Sequence, residues 1–484
     1  MRVNTIRLVM AVVLLLGRGA ALDRAQTPAP SIAMPRAGDD RLAKIMQTIS
    51  ADRAAEIDRT LIGFGSRAST SETTSTGTRG VVPARKWIYD QFQAISAANG
   101  GRLRVSVDTF PVPRGSRIPA DQTMSNVVAL LPGTDPKDTR VFVVSGHYDS
   151  IPADVAQDAP GANDDASGTV VSLECARALA PFQFPATIMF LAVEGEEQGL
   201  YGSKHAAESA KAAGVNIVAM LNDDIVGGDQ TPGRENKDVL RVFSQGVPPK
   251  ATPEEISRIA AAGLENDSAS RQVARYASAI AEQYLPGFHV VLEYRPDRFQ
   301  RGGDHSSFLD NGYAAVRFSE FNENSQHQHQ VVREENGVEY GDVFKWISPS
   351  YIANVARVNA LTLASLASAP PAPETVTFQA GQQPSGTAVT WTEVPGAASY
   401  RVLLRPTAES QWSIRLPAPA VAAPARGARG GGGGAGAATT YQVVIPQSGD
   451  NYFIAVVAVD AAGHESLPKL SGTAPRGGAR GGGD

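Results

Sequence analysis

The chain holds one cysteine, Cys175, among 484 residues. No disulfide can form within it, so its stability must come from packing and from any metal it binds. Cys175 falls on the apolar face of a predicted helix and reads as a small buried hydrophobe. Aromatic residues make up 7% and charged residues 19%, and the formal net charge is −5. Nowhere is there a basic run of the density that a nucleic-acid partner demands, which argues against that class of partner. Long apolar runs are scarce too. Leu8–Leu16 spans nine residues, too few for a bilayer span. Arg2 and Arg7 precede it and small residues through Ala21 follow. That pattern predicts an export signal at 1–21, a disordered lead at 22–38, and a secreted or periplasmic chain with no integral span once the signal is removed.

What is present is globular in composition, 42% hydrophobic, and too long for one ordinary core. From residue 39 to 368, apolar stretches of strand length alternate with helical periodicity. Leu103–Phe110, Ser125–Leu131, Arg140–Val144, Ala186–Val193, Ile217–Leu221, Val290–Tyr294 and Ala314–Phe318 read as strands. Asp39–Ile62, Thr78–Ala97, Thr169–Leu179, Lys204–Ala213, Ser268–Tyr284 and Ser350–Ala367 read as helices. This order predicts an α/β domain built on a mainly parallel mixed sheet flanked by helices. A proline-rich linker at 369–373 ends it. Beyond the linker no helical period survives, and short strands around Trp391, Tyr400, Tyr441 and Tyr452 predict a small all-β sandwich over 374–472. A Gly/Arg-rich loop at 424–438 interrupts the sandwich, and 473–484 repeats that composition as a disordered tail.

Chemistry-bearing residues gather just past the ends of the predicted strands, where open α/β sheets place their ligands. Ser145-Gly-His147-Tyr-Asp149 follows one strand and leads into Pro160-Gly-Ala-Asn-Asp164-Asp165-Ala-Ser-Gly168. Glu194-Gly-Glu196-Glu197 follows the next, then Asn222-Asp223-Asp224, Asp304-His305, and Glu323 through His327 and His329. Imidazole and carboxylate at such positions suit zinc. Adjacent glutamates at a strand mouth point different ways, so one can bind metal while the other takes a proton from water. Singly, each has a mundane reading: Glu196 and Glu197 as a helix N-terminus, Asp223 or Asp224 as a cap, the histidines as solvated loop residues. Together, at successive strand ends of one domain, they would be an improbable accident, and the pattern points to a metal site.

The motifs His147-Tyr-Asp149-Ser, Pro160-Gly-Ala-Asn-Asp164-Asp165-Ala-Ser-Gly168, Glu196-Glu197-Gln-Gly-Leu-Tyr-Gly202 and Asp224-Ile-Val-Gly227 resemble the co-catalytic zinc aminopeptidases, peptidase family M28 of clan MH. The likeness runs from about Asp39 to Leu366. It implies a zinc-exopeptidase-like fold, peptide substrates and two zinc ions per chain. In that frame His147 binds one zinc with Asp149 behind it, orienting the imidazole, and Asp164 bridges both. Glu197 completes the His147 metal, Asp224 binds the second, and Glu196 is the general base acting on a zinc-bridging hydroxide. Asp304 and His305 match a pair near the family's substrate pocket, whose rim also draws on the loop around Tyr201. The final ligand departs from the family's pattern of a His with an Asp four residues on: Val331 follows His327 at that offset and Arg333 follows His329. The resemblance favours His329, with His327 as the alternative. Residues 374–472 resemble a fibronectin type III module, read as a surface- or polymer-binding or stabilising addition.

Other functions stay open on these residues. A glutaminyl cyclase shares the sheet and several ligands but uses a single zinc, and a binding protein on the same scaffold would be catalytically silent. Arg298 or Arg301 could read a substrate carboxylate, as a dipeptide carboxypeptidase requires.

Overall fold

The computed structural model describes residues 39–71, 76–151, 158–380, 386–418 and 439–473. The predicted signal and lead at 1–38, the loop at 424–438 and the tail after 473 lie outside them. Eight strands form one mixed sheet: β1 (Arg104–Val112), β2 (Gln122–Leu131), β3 (Arg140–His147), β4 (Thr187–Val193), β5 (Asn216–Asp223), β6 (Val239–Ser244), β7 (His289–Glu293) and β8 (Ala315–Glu320). Their order across the sheet is β1-β2-β4-β3-β5-β8-β6-β7. The central β4-β3-β5-β8 run is parallel, and β1, β2 and the β6–β8 contact are antiparallel.

The central strands are apolar on both faces because both faces are covered. In β3, Phe142 and Val144 join the large core under one helical layer, while Val141 and Val143 join a second core on the other face. The large core gathers α1 (Asp40–Thr48), α2 (Ala51–Gly63), α3 (Val81–Ala98), α4 (Ser167–Leu179), α7 (Ala269–Tyr284) and α9 (Pro349–Ser368). The second gathers α5 (Tyr201–Ala212) and α8 (Asp304–Asp310). Cys175 is fully buried in the large core. Sequence periodicity missed β6, whose Arg241 interrupts the apolar run, and α6 (Pro253–Ala262), which buries no residue and is held by a Thr252–Glu255 capping box. It also missed a hairpin of β9 (Arg333–Glu335) and β10 (Val338–Tyr340), whose side chains are largely exposed. Among the described residues no helix is long and apolar enough to cross a membrane.

Past residue 373 two four-stranded sheets face each other. One comprises β11 (Val376–Ala380), β12 (Thr387–Thr392), β15 (Thr440–Ile445) and β18 (Gly472–Thr473). The other comprises β13 (Ser399–Pro406), β14 (Ile414–Ala418), β16 (Tyr452–Val459) and β17 (Lys469–Leu470). Trp391 and Val389 from the first meet Val402, Leu404 and Val456 from the second in a shared core. The sheet pair also grips α7. Trp412 donates from Nε1 to Gln272 Oε1 at 3.0 Å, and Arg405 pairs with Asp267 at 2.5 Å. His464 sits buried between Asp460 (2.7 Å) and Asp39 (3.0 Å), which ties the last turn of the sandwich to the N-cap of α1.

Candidate metal centre

The carboxyl end of β3 carries the first donor. Gly146 has no room for a side chain, since a Cβ there would lie 2.3 Å from the main-chain carbon of Gly168. The start of α4 therefore presses directly on the strand end. Asp165 locks that approach, accepting from the His147 amide at 3.0 Å and from the Gly168 amide at 2.8 Å. The peptide bond between Asp164 and Asp165 is cis.

Asp164 then faces two imidazoles. Its Oδ1 lies 3.2 Å from His147 Nε2 and its Oδ2 lies 3.0 Å from His329 Nε2. Asp224 Oδ1 stands 3.9 Å from His147 Nε2, and Glu197 Oε2 stands 3.2 Å from His329 Nε2. The result is two groups of three donors, His147–Asp164–Asp224 and Asp164–Glu197–His329, each with its ligand atoms within 4.8 Å of one another. They share Asp164. One imidazole and two carboxylates per group fit zinc. The buried Oε1 of Glu197 has no hydrogen-bond partner in the protein, as an oxygen kept for a cation would.

This grouping corrects the pairing expected from the sequence, which gave Glu197 to the His147 metal and Asp224 to the other. Asp224 follows the last residue of β5, beside His147 on the neighbouring strand. Glu197 stands beyond the end of β4 and reaches forward to His329. His327 belongs elsewhere: its Nδ1 bonds Asp229 Oδ2, and its ring stacks on Trp346 at 4.0 Å between centroids. Asp149 stands behind His147 in two ways. His147 Nδ1 bonds the main-chain carbonyl of Asp149 at 3.1 Å, and the Asp149 carboxylate oxygen is farther off at 3.6 Å. That carboxylate also accepts from the amides of Glu196 and Glu197, both at 3.4 Å, and so fixes the turn that presents them.

The electrostatics follow from packing so many acids together. Burial first, then Asp224, Glu197 and Asp304, push the Glu196 carboxyl well above its usual range, with His147 opposing. Burial disfavours a charged His329, yet Asp164 and Glu197 push its imidazole up to about 11. A site that draws protons onto its imidazoles in this way is one that accepts cations. Arg317, fully buried on β8, also answers the charge: it meets Asp224 Oδ1 at 2.8 Å and Asp297 Oδ2 at 3.1 Å. Its guanidinium is raised far above its ordinary value by Asp224 and Asp297, against the cost of burial.

An open cavity of about 470 Å³ lies over these donors, walled by Glu196, Gly199, Leu200, Arg117, Gln300 and Arg301 among others. Asp304, His305 and Tyr201 do not line it. Asp304 and His305 are fully buried at the start of α8, and Tyr201 packs on the Phe110–Met124 cluster. Arg298 reaches the cavity wall but is held by Glu323 at 2.5 Å and Asp297 at 3.1 Å, so its charge is already answered. Sequence reasoning missed Arg317, Arg67 and Asp342. The first two stand alone in their stretches, with no spacing to mark them. Asp342 acts through main-chain amides, which side-chain spacing does not reveal.

The geometry agrees with what the chain is similar to. The model of peptidase family M28 matches residues 126–340. A protein named "Probable zinc metalloprotease" in Pyrenophora teres f. teres is 40% identical over 443 residues, covering 90% of this chain and 87% of its own. Another of that name in Pyricularia oryzae is 41% identical over 403 residues, covering 81% and 80%. Among solved structures, the LapA aminopeptidase of Legionella pneumophila shares the fold with a TM-score of 0.50 at 19% identity, over 72% of this chain and 76% of that one. The chain belongs to peptidase family M28, among zinc metalloproteases.

Proposed function

We propose that this protein is an exported aminopeptidase that uses two zinc ions and removes N-terminal residues from peptides, with Glu196 as its general base. The observation that carries the reading is the pair of three-donor groups sharing Asp164, with the free carboxylate of Glu196 on the cavity wall beside them. His147, Asp164 and Asp224 would hold one ion, and Asp164, Glu197 and His329 the other. When bound, zinc acts as a Lewis acid on a carbonyl oxygen and makes water a nucleophile near neutral pH. Glu196 takes the proton from water and hands it to the departing amine. Asp149 holds the Glu196 and Glu197 amides, and Arg317 holds Asp224, so base and ligand keep their directions.

A cyclase needs a single donor group, so the second group favours hydrolysis. Arg2 and Arg7 ahead of the apolar Leu8–Leu16 run support export. The two C-terminal sheets are a fibronectin type III-like brace on α7, a reading supported by the Trp412–Gln272 bond and by the buried Asp267–Arg405 pair just ahead of the helix. The test is turnover of aminoacyl-nitroanilides beside their N-acetylated counterparts and a peptide with N-terminal glutamine. Release of nitroaniline from the free-amine substrates alone is expected. Equal cleavage of the acetylated set, or cyclisation of glutamine without hydrolysis, would refute it.

A further inference from the structure

The chain leaves the metal centre at His329 and comes back to it at Asp342. Between them the β9–β10 hairpin projects outward, with Arg333, Glu334 and Glu335 exposed. The base of this excursion is closed: the Gly341 amide donates to the Gln326 carbonyl at 3.0 Å, and the Val332 amide to the Asp158 carbonyl at 3.0 Å. Asp342 is 3% exposed. Its two carboxylate oxygens accept from successive amides, Oδ1 from Asn163 and Oδ2 from Asp164, both at 2.7 Å. Its carbonyl accepts from the Ala162 amide at 3.3 Å. Three consecutive main-chain donors therefore converge on one residue. From the opposite side Arg67, fully buried, donates to the carbonyls of Tyr148 (2.7 Å), Gly161 (3.0 Å) and Pro160, and so ties the His147 segment to the turn that precedes Asp164.

We propose that Asp342 is a positioning residue for zinc binding, fixing the backbone of Asp164 so that the two oxygens of that carboxylate face His147 and His329 at once. The inference rests on the two-zinc reading given above. A carboxylate shared by two donor groups tolerates little rotation, because turning one oxygen toward its imidazole turns the other away. The Asp164 side chain has few torsions of its own, so its aim follows the main chain at 163–164. Asp342 holds that main chain, and it enters from the same excursion that delivers His329. One connection thus supplies a ligand to the second group and the brace for the ligand both groups share.

Asp342→Asn keeps the size of the side chain but turns one acceptor into an amide donor facing an N–H. Zinc affinity of the zinc-free chain, measured by competition with a fluorescent chelator, is expected to fall about 10- to 100-fold. Hydrogen exchange at the 162–164 amides of the zinc-free chain is expected to speed up. Asp342→Glu, which restores the charge, should bind zinc more tightly than Asp342→Asn but less tightly than wild type. Glu339→Gln on the same hairpin should bind like wild type. If Asp342→Asn binds zinc within about threefold of wild type, the positioning role is overturned while the proposed function stands. Should Asp342→Asn fail to fold, Asp342→Glu decides: weaker zinc binding with a native circular dichroism spectrum supports the role, and unchanged binding overturns it. Wild type that takes up no zinc removes the proposed function and this inference with it.

Discussion

Asp267 is the place to test how the C-terminal sheets are held. Its side chain is fully buried between Arg275 of α7 at 3.0 Å and Arg405 of β13 at 2.5 Å. Gln272 donates to the same carboxylate at 3.3 Å. Asp267→Ala removes the only negative charge in these two pairs and leaves two guanidiniums of 2% and 3% side-chain exposure facing each other. Breaking a buried pair from one side costs about 3–5 kcal/mol. Here the carbonyls of Ser410 and Asn266 still receive Arg275, and that of Glu409 still receives Arg405. Those remaining acceptors place the cost at the low end, about 3 kcal/mol. The assay is equilibrium urea unfolding of the full chain, followed by tryptophan emission and circular dichroism. Adding Arg405→Leu to Asp267→Ala should recover part of the loss, because the second change removes one of the stranded charges. A loss under about 0.5 kcal/mol for Asp267→Ala, the scale of an ordinary surface change, would refute the reasoning.

The two candidate histidines separate cleanly. His329→Ala should lower the zinc content of the purified chain from about two ions to about one, whereas His327→Ala should keep both and lose stability through the Asp229 bond and the Trp346 stack. Equal zinc loss in both variants would refute the assignment. Asp58 offers a pH test. It is fully buried on α2 with neither carboxylate oxygen hydrogen-bonded, and burial first, then Asp342, push its carboxyl well above the usual range against Arg67 and Arg59. A raised folded-state value contributes stability that is present below the unfolded value and is lost as pH rises through the folded one. Asp58→Asn should therefore melt above wild type by a margin that grows as pH rises above the unfolded aspartate value of about 4. A margin that stays constant or shrinks would sink this account.

The strand ends were legible in the sequence because β3, β4 and β5 are apolar on both faces and break off at charged residues. A run such as Thr187–Val193 followed by Glu-Gly-Glu-Glu marks both a buried strand and its functional end. Which donors share an ion was not legible. That depends on how far past its strand each residue stands and which way the turn points it, as the exchange of Glu197 and Asp224 between groups shows. The braces were equally hidden. Arg67 and Asp342 act through main-chain carbonyls and amides, so nothing in local side-chain spacing reveals them. Asp304 and His305 sit next to the Gly302 wall of the cavity in sequence, but α8 turns them into the interior. Exposed elements escaped for a simpler reason: α6 and the β9–β10 hairpin bury too little to impose a period.

The central claim is that two zinc-binding groups serve one base, Glu196. Zinc content and aminoacyl-nitroanilide turnover of wild type beside Glu196→Gln test it most directly. About two zinc ions per chain are expected in both proteins, with turnover in the variant lower by about 10²- to 10⁴-fold, the contribution of a positioned general base. A Glu196→Gln variant that turns over like wild type, or a wild type that hydrolyses these substrates with no zinc bound, would contradict it.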